Sequence, residues 1–330
     1  AQGASFNPEL TEEISRAAAR ECSAAGLHAT FAPMADLCRD SRWGRVMEGT
    51  GEDVYLNSRF AVSAVKGFRG DNCGGKGKIA ACVKHYAGYG GATAGRDYNA
   101  LEVGERSLRE DYLPAYKAAM DAGAELVMTS FNTIDRLPAT LSKKLNRKIL
   151  RDEFGFKGVL ITDYNAIGET LAHGASSDKA DAAQKAMNAG VDIDMMSDAY
   201  LSHLKSEVEA GRVSESQIDE ACLRVLKLKN KLGLFENPYK DGSLEAEKKY
   251  IYCDEFLKLS RKAAEETTIL LKNNGILPLD TSKKIVVAGA LAESRAITGS
   301  WAIFAQPEHT VTLRKALEEL YPDADISFYA

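Results

Sequence analysis

At 330 residues, 45% of them hydrophobic, the chain is long enough to bury a sizeable core and to hold more than one domain. The formal net charge of −5 arises from 42 Lys+Arg and 47 Asp+Glu spread along the whole length, so no basic face for phosphates shows itself and nucleic acid is not expected as a partner. No run of 18 apolar residues occurs, which removes a membrane span. Ala1-Gln2-Gly3 opens without the charged and then apolar pattern of a leader, which reads as a mature or cut start. Six cysteines (Cys22, Cys38, Cys73, Cys82, Cys222, Cys253) are scattered without a Cys-x-x-Cys or a Cys/His cluster, and are expected to be buried or idle thiols rather than zinc ligands or a redox pair.

In chain order, the first 230 residues alternate short apolar runs with longer helical patterns, the form of repeated βα units around a parallel sheet. Strands are expected at 28–33, 79–86, 125–131, 158–163 and 191–196, each nearly continuous in apolar residues as strands covered on both faces must be. Helices are expected at 7–25, 53–68, 107–122, 142–153 and 178–189. The first is opened by Asn7 with Pro8 at the first helical position, and several close on a glycine at Gly26, Gly123 or Gly190. Two more helices follow at 199–210 and 214–232, the latter capped by Ser214. The turn-rich, charged stretch 233–253 reads as a linker, and 254–330 as the start of a second α/β domain, with a helix from Asp254, strands at 284–288 and 326–329 and a helix near 312–321. The fold class is α/β: a partial (β/α) barrel over 1–232, then the beginning of an α/β sandwich whose last strand runs into the final residue, Ala330.

In a parallel α/β barrel the residues just past the C-terminal ends of strands face the site. There the chain places Lys84-His85-Tyr86 followed by the glycine-rich Ala87-Gly88-Tyr89-Gly90-Gly91, and Thr162-Asp163-Tyr164. After the first strand comes a loop with three arginines and a tryptophan, Arg39-Asp40-Ser41-Arg42-Trp43-Gly44-Arg45. A carboxylate beside Lys, His, Arg and aromatic rings suits a sugar: donors grip hydroxyls, rings cover the apolar face, and the carboxylate attacks or stabilises the anomeric carbon. Taken singly, Asp163 at a strand end is more often a cap or a loop ion pair, and Lys84-His85 alone is as often structural. The glycines at 87–91 and in Ala288-Gly289-Ala290 lack the Gly-x-Gly-x-x-Gly spacing and the Lys-Ser/Thr of nucleotide loops. Asp192, Asp194 and Asp198 resemble half of a calcium loop whose glycine and closing glutamate are missing.

Phe31-Ala32-Pro33-Met34-Ala35-Asp36, the Arg39 to Arg45 loop with Glu48 and Gly51-Glu52-Asp53, then Val83-Lys84-His85-Tyr86 and Thr162-Asp163-Tyr164 together resemble, in content and order, the motifs of family 3 glycoside hydrolases. The resemblance is nearest to bacterial periplasmic β-glucosidases and continues through Gly233-Leu234-Phe235-Glu236-Asn237-Pro238-Tyr239 and Leu270-Leu271-Lys272-Asn273. It implies a (β/α) barrel followed by an α/β sandwich, with Asp163 as nucleophile and Arg45, Lys84, His85, Met128 and Tyr164 in contact with substrate. The implied activity is retaining, exo-acting hydrolysis of β-glucosides or oligosaccharides by double displacement, without metal or organic cofactor. It also implies a periplasmic or secreted location. Asp36 matches no catalytic position of the family and is expected to be a local structural group.

The chain departs from that pattern in four places. Phe131 stands where the family often has Tyr, and Tyr164 where it often has Trp. The family barrel begins before the Asn7 helix, and its acid/base Glu lies later than Ala330, so an incomplete barrel and second domain are expected, with no acid/base in this chain; neither Glu293 nor Glu308 is given that role. A β-xylosidase of the same family and a noncatalytic sugar-binding fragment are the alternatives. A β-N-acetylglucosaminidase fits less well, because Lys84-His85-Tyr86-Ala87-Gly88 has no Pro and no later Asp-x-His.

Overall fold

The computed structural model describes residues 2–298, 302 and 306–329; Ala330, where the last strand is expected to run out, lies outside them. The chain divides into two compact units, 1–269 and 270–330.

In the first unit, helix α1 (Pro8–Ala24) starts as its sequence dictates: the Asn7 side chain accepts from the Leu10 N–H and Pro8 fills the first turn. Strand β1 (Ala29–Thr30), helix α2 (Val54–Arg69, capped by Asp53) and strand β2 (Ala80–Tyr86) follow. The single helix expected over 107–122 is instead α3 (Glu105–Ser107), a π-helical turn Leu108–Tyr112, and α4 (Pro114–Asp121). Pro114 has no N–H for the preceding turn, so the helix restarts there. Strand β3 (Leu126–Thr129), the small hairpin β4 (Thr133–Ile134) and β5 (Leu137–Pro138), a π-helical segment Lys144–Glu153 and strand β6 (Val159–Ile161) come next. Helices α5 (Ala166–Glu169), α6 (Lys179–Ala189), α7 (Ala199–Glu209) and α8 (Glu215–Lys231) complete this run. Ser214 and Gln217 form the reciprocal capping box that opens α8.

The strands pair in parallel in the order β1-β2-β3-β6. Their side chains divide by twos. Ala81, Val83, Val127 and Leu160 pack against helical residues such as Val65, Ala119 and Ile149, while Ala80, Cys82, Leu126, Met128, Val159 and Ile161 form a core on the opposite face. Both faces are apolar because both are covered.

The stretch 191–196, expected as a fifth strand, forms only a single bridge, Ile161 to Ile193. Its own side chain intervenes. Asp192 Oδ2 takes the Leu160 N–H at 2.8 Å, a donor that a neighbouring strand carbonyl would otherwise engage. Asp192 also binds Arg151 and Arg224, each at 2.8 Å. Asp194 accepts from the backbone of Ala199 and Tyr200, and Asp198 from Ser202, so these three aspartates are engaged by the protein rather than turned together.

The stretch expected as a linker contains helix α9 (Leu244–Tyr250), capped by Ser243. Helix α10 (Asp254–Thr267) belongs to the first unit, not the second: Glu266 bonds Asn7, and Lys262 pairs with Glu13 of α1. The second unit carries the parallel strands β7 (Ile285–Ala288) and β8 (Ile326–Tyr329) with helix α11 (Leu313–Leu320). Arg314 of α11 stacks over Phe328 at 4.8 Å and binds Glu293.

Candidate active site

Because β2 and β6 run parallel on either side of β3, their C-terminal ends open on the same edge of the sheet. That edge brings His85 and Asp163 together, 78 positions apart in sequence: His85 Nε2 lies 3.2 Å from Asp163 Oδ2. Asp163 is 9% exposed, and its Oδ1 accepts the backbone N–H of Tyr164 at 2.7 Å. Oδ2, buried beside the imidazole, accepts no hydrogen bond of good geometry from the described residues. One oxygen is pinned and the other is left with lone pairs to use, as an attacking carboxylate requires.

His85, 1% exposed, is held from behind. Asp36 Oδ2 accepts from its Nδ1 at 2.7 Å and from its backbone N–H at 3.0 Å, and Tyr116 donates to Asp36 Oδ1 at 2.7 Å. Asp36 reaches this position because the chain after β1 runs beside β2, with the Ala35 N–H donating to the Lys84 carbonyl at 2.6 Å. Lys84 itself is half-buried, and its ammonium makes no hydrogen bond or ion pair with the described residues, which leaves it available to a ligand.

The arginine loop stands across an aromatic wall. Arg45 donates to both oxygens of Glu48, at 2.8 and 3.0 Å, and its guanidinium sits 5.7 Å from the centre of the Tyr89 ring. Burial works against the charge of Arg45, but the Glu48 carboxylate more than offsets it and raises the pKa above the ordinary value. Tyr89 meets His85, Trp43 and Phe131 edge-on, with ring centres 5.3, 5.2 and 5.7 Å apart, and Phe131 tilts against Tyr98 at 4.7 Å. Phe131 thus keeps a ring in the wall while offering no hydroxyl. Glycine is required nearby: a Cβ on Gly90 would stand 2.4 Å from the Leu37 carbonyl. The close approach of the 87–91 loop to the chain after β1 is what Gly90 serves, while Gly88 and Gly91 make room for Leu101 and Tyr112.

Tyr164 is 60% exposed, its ring free to meet a ligand, whereas Met128 is 1% exposed and lies within the core that Cys82 and Ile161 share. Three residues that the sequence reading passed over also gather here: Asp97, which accepts the Trp43 indole N–H at 2.8 Å; Tyr98; and Glu169 of α5. Burial, then the charges of Asp163 and Asp97, push the Glu169 carboxyl up to about 6. Asp36 carried a sequence signal, a carboxylate at a strand end, but Asp97 and Glu169 lie outside any motif. Among the described residues no group of three or more His, Cys, Asp and Glu is placed to hold a metal ion.

Residues 1–228 match the family profile described as "Glycosyl hydrolase family 3 N terminal domain". The chain belongs to glycosyl hydrolase family 3. It is similar to the periplasmic beta-glucosidase of Salmonella typhimurium, with 37% identity over 99% of this chain and 43% of that protein. A beta-xylosidase of Formosa agariphila is 34% identical over 86% of this chain and 41% of its own length. Among solved structures, a mutant beta-glucosidase from Listeria innocua in complex with laminaribiose superposes with a TM-score of 0.95 at 44% identity, covering 99% of this chain and 45% of that one. The family 3 chain described here therefore spans less than half the length of these relatives.

Proposed function

We propose that this family 3 chain carries the nucleophile and glycon grip of a retaining, exo-acting β-glucosidase that releases β-D-glucose from the non-reducing end of β-glucosides or oligosaccharides. The observation that carries the reading is the Asp163 carboxylate, buried at a strand end with Oδ1 pinned by the Tyr164 N–H and Oδ2 facing His85. In the first step an Asp163 oxygen bonds to the anomeric carbon while the glycosidic bond breaks and its electron pair leaves on the aglycone oxygen, protonated by a second acid. Water then attacks the same carbon, glucose departs with inverted-twice, hence retained, configuration, and the carboxylate is restored. Lys84, His85 and Arg45 would grip hydroxyls, with Tyr164 covering the sugar and Met128 under the pocket floor.

The four-stranded parallel sheet is, on this reading, an arc of a (β/α) barrel. No helix among the described residues is long and apolar enough to cross a membrane, and a periplasmic site of action is supported by the Salmonella relative. The beta-xylosidase relatives support a second reading, in which the pocket takes a pentose lacking the hydroxymethyl group.

Incubation with a 2,4-dinitrophenyl 2-deoxy-2-fluoro-β-glucoside tests the proposal, because this leaving group departs without acid help. A glycosyl adduct mapped to Asp163 is expected. A folded chain that binds glucose yet takes no adduct would reduce it to a sugar-binding module, and labelling only by the xyloside analogue would select the second reading.

A further inference from the structure

The nucleophile reading leaves one buried group without a task. Asp36 is 1% exposed, lies just after β1 at the start of the first βα loop, and the hydrogen bonds its side chain makes are to His85 and to Tyr116. A carboxylate can only accept, so the 2.7 Å approach of Asp36 Oδ2 to His85 Nδ1 requires the proton on Nδ1. The same oxygen takes the His85 backbone N–H at 3.0 Å, which fixes the main chain as well as the ring. Tyr116 closes the arrangement: its hydroxyl contacts Asp36 Oδ1 at 2.7 Å and the His85 carbonyl at 2.6 Å. Tyr89 packs against the ring edge-on. The imidazole thereby loses both its rotation and its choice of tautomer, and the nitrogen it turns to Asp163 is always Nε2.

We propose that Asp36 is a positioning residue of the glycosidase site, fixing the tautomer and orientation of His85 so that Nε2 stands against Oδ2 of the nucleophile Asp163. The inference rests on the reading of Asp163 as nucleophile. Its chemical content is preorganisation. A carboxylate that attacks one carbon atom must be aimed before the sugar arrives; with Oδ1 held by the Tyr164 N–H, Oδ2 takes no hydrogen bond from the described residues, and the fixed edge of the His85 ring, its Nε2 3.2 Å away, is the wall that limits where that oxygen can turn. A ring free to turn would offer Nδ1, a carbon edge or nothing to that oxygen. Nε2 can also turn to a sugar hydroxyl in the same fixed direction, so one residue deep behind the site serves both partners.

The two obvious substitutions separate this role from mere packing. In Asp36→Asn the amide oxygen can still accept from Nδ1 and the His85 N–H, while its NH2 donates to the Tyr116 hydroxyl, whose one proton then turns to the His85 carbonyl. The arrangement survives without the charge. Asp36→Leu keeps the branched shape, with larger methyl groups where the oxygens stood, and removes every acceptor.

The test uses the full chain labelled with 15N-histidine, with His85 signals assigned by their loss in His85→Gln, and the fluoroglucoside reagent described above. In the native chain and in Asp36→Asn, a proton bonded to His85 Nδ1 is expected, with labelling rates of the two within about threefold. In Asp36→Leu, the ring should show mixed tautomers, and the labelling rate at saturating reagent should fall at least about tenfold while the half-saturating concentration stays within about threefold. A bare Nδ1 in the native chain, or a folded Asp36→Leu that labels at the native rate, would overturn the proposal. So would a loss confined to affinity, or one shared equally by Asp36→Asn. Should Asp36→Leu fail to fold, the native and Asp36→Asn spectra and rates decide by the same criteria. If the native chain takes no label at all, it is the nucleophile reading that has failed; the spectra then judge the hold of Asp36 on His85, supporting it when the Nδ1 proton is present and overturning it when it is absent.

Discussion

Trp43 donates its indole N–H to Asp97 at 2.8 Å, a bond that ties the arginine loop to the loop on the far side of Tyr89. Trp43 is 1% exposed, so its indole N–H has no water to replace Asp97, whereas Asp97 itself is exposed. Trp43→Phe retains a ring against Tyr89 but removes the bond between the two loops and leaves Asp97 to solvent. A loss of about 1–2 kcal/mol of stability is expected in urea unfolding. The half-saturating concentration of the fluoroglucoside should rise by up to about tenfold as Arg45 loses its fixed loop. Unchanged affinity would show that Arg45 is placed by Glu48 alone.

Asp163→Asn keeps the Tyr164 N–H bonded to an amide oxygen but removes the nucleophile. No adduct should form on this variant by intact-mass spectrometry, while glucose binding stays within about threefold of the native chain, because a neutral isostere can keep the hydrogen bonds and lose only the attack. An adduct on another carboxylate would reassign the nucleophile.

Asp192 joins β6 to the stretch that follows α6, through the Leu160 N–H, Arg151 and Arg224. Burial pushes its carboxyl up, the two arginines oppose that, and burial likewise lowers the Arg151 guanidinium to about 10. Removing the carboxylate strands two partly buried cations. Asp192→Ala should destabilise the first unit by about 3–5 kcal/mol, read from the urea midpoint at constant slope. A loss below about 1 kcal/mol would mean that water reaches both arginines.

Glu169 bears on pH. Its carboxyl, lifted to about 6 from an ordinary 4.5, binds more protons folded than unfolded between those values. The neutral form is favoured by folding, so stability falls as pH rises through this window, and the penalty is complete above it. Glu169 is only half-buried, so solvent screens the effect. Glu169→Gln should therefore match the native chain below pH 4.5 and melt about 1–2 °C higher above pH 6, in thermal unfolding scanned across pH. A native chain that gains stability between pH 4.5 and 6 relative to the variant would reverse the assignment.

Much of this was legible in the chain. Asn7-Pro8 and Ser214 announced helix starts, because a cap is a local bond between a side chain and an N–H two or three residues away. The apolar runs around β2, β3 and β6 announced a sheet covered on both faces. The break at Pro114 turned on a missing donor and the lost strand at 191–196 on a competing bond, while the helix Leu244–Tyr250 in the expected linker carries a local Ser243 cap inside a turn-rich, charged stretch. At Asp192 the competitor was a single carboxylate, whose worth depended on two arginines 41 residues before and 32 after it.

The sequence by itself determined the repeated βα order and the local motifs, and with them the family and the residue read as nucleophile, because periodicity, caps and motif order are properties of neighbours along the chain. Only the tertiary structure decided what surrounds Asp163. Parallel pairing of β2, β3 and β6 sets His85 against it, the approach of the chain after β1 sets Asp36 behind His85, and a short helix brings Glu169 near enough to feel its charge. Hydrogen bonds and fields act over a few ångströms of space whatever the separation in sequence, and that distance is supplied by the fold.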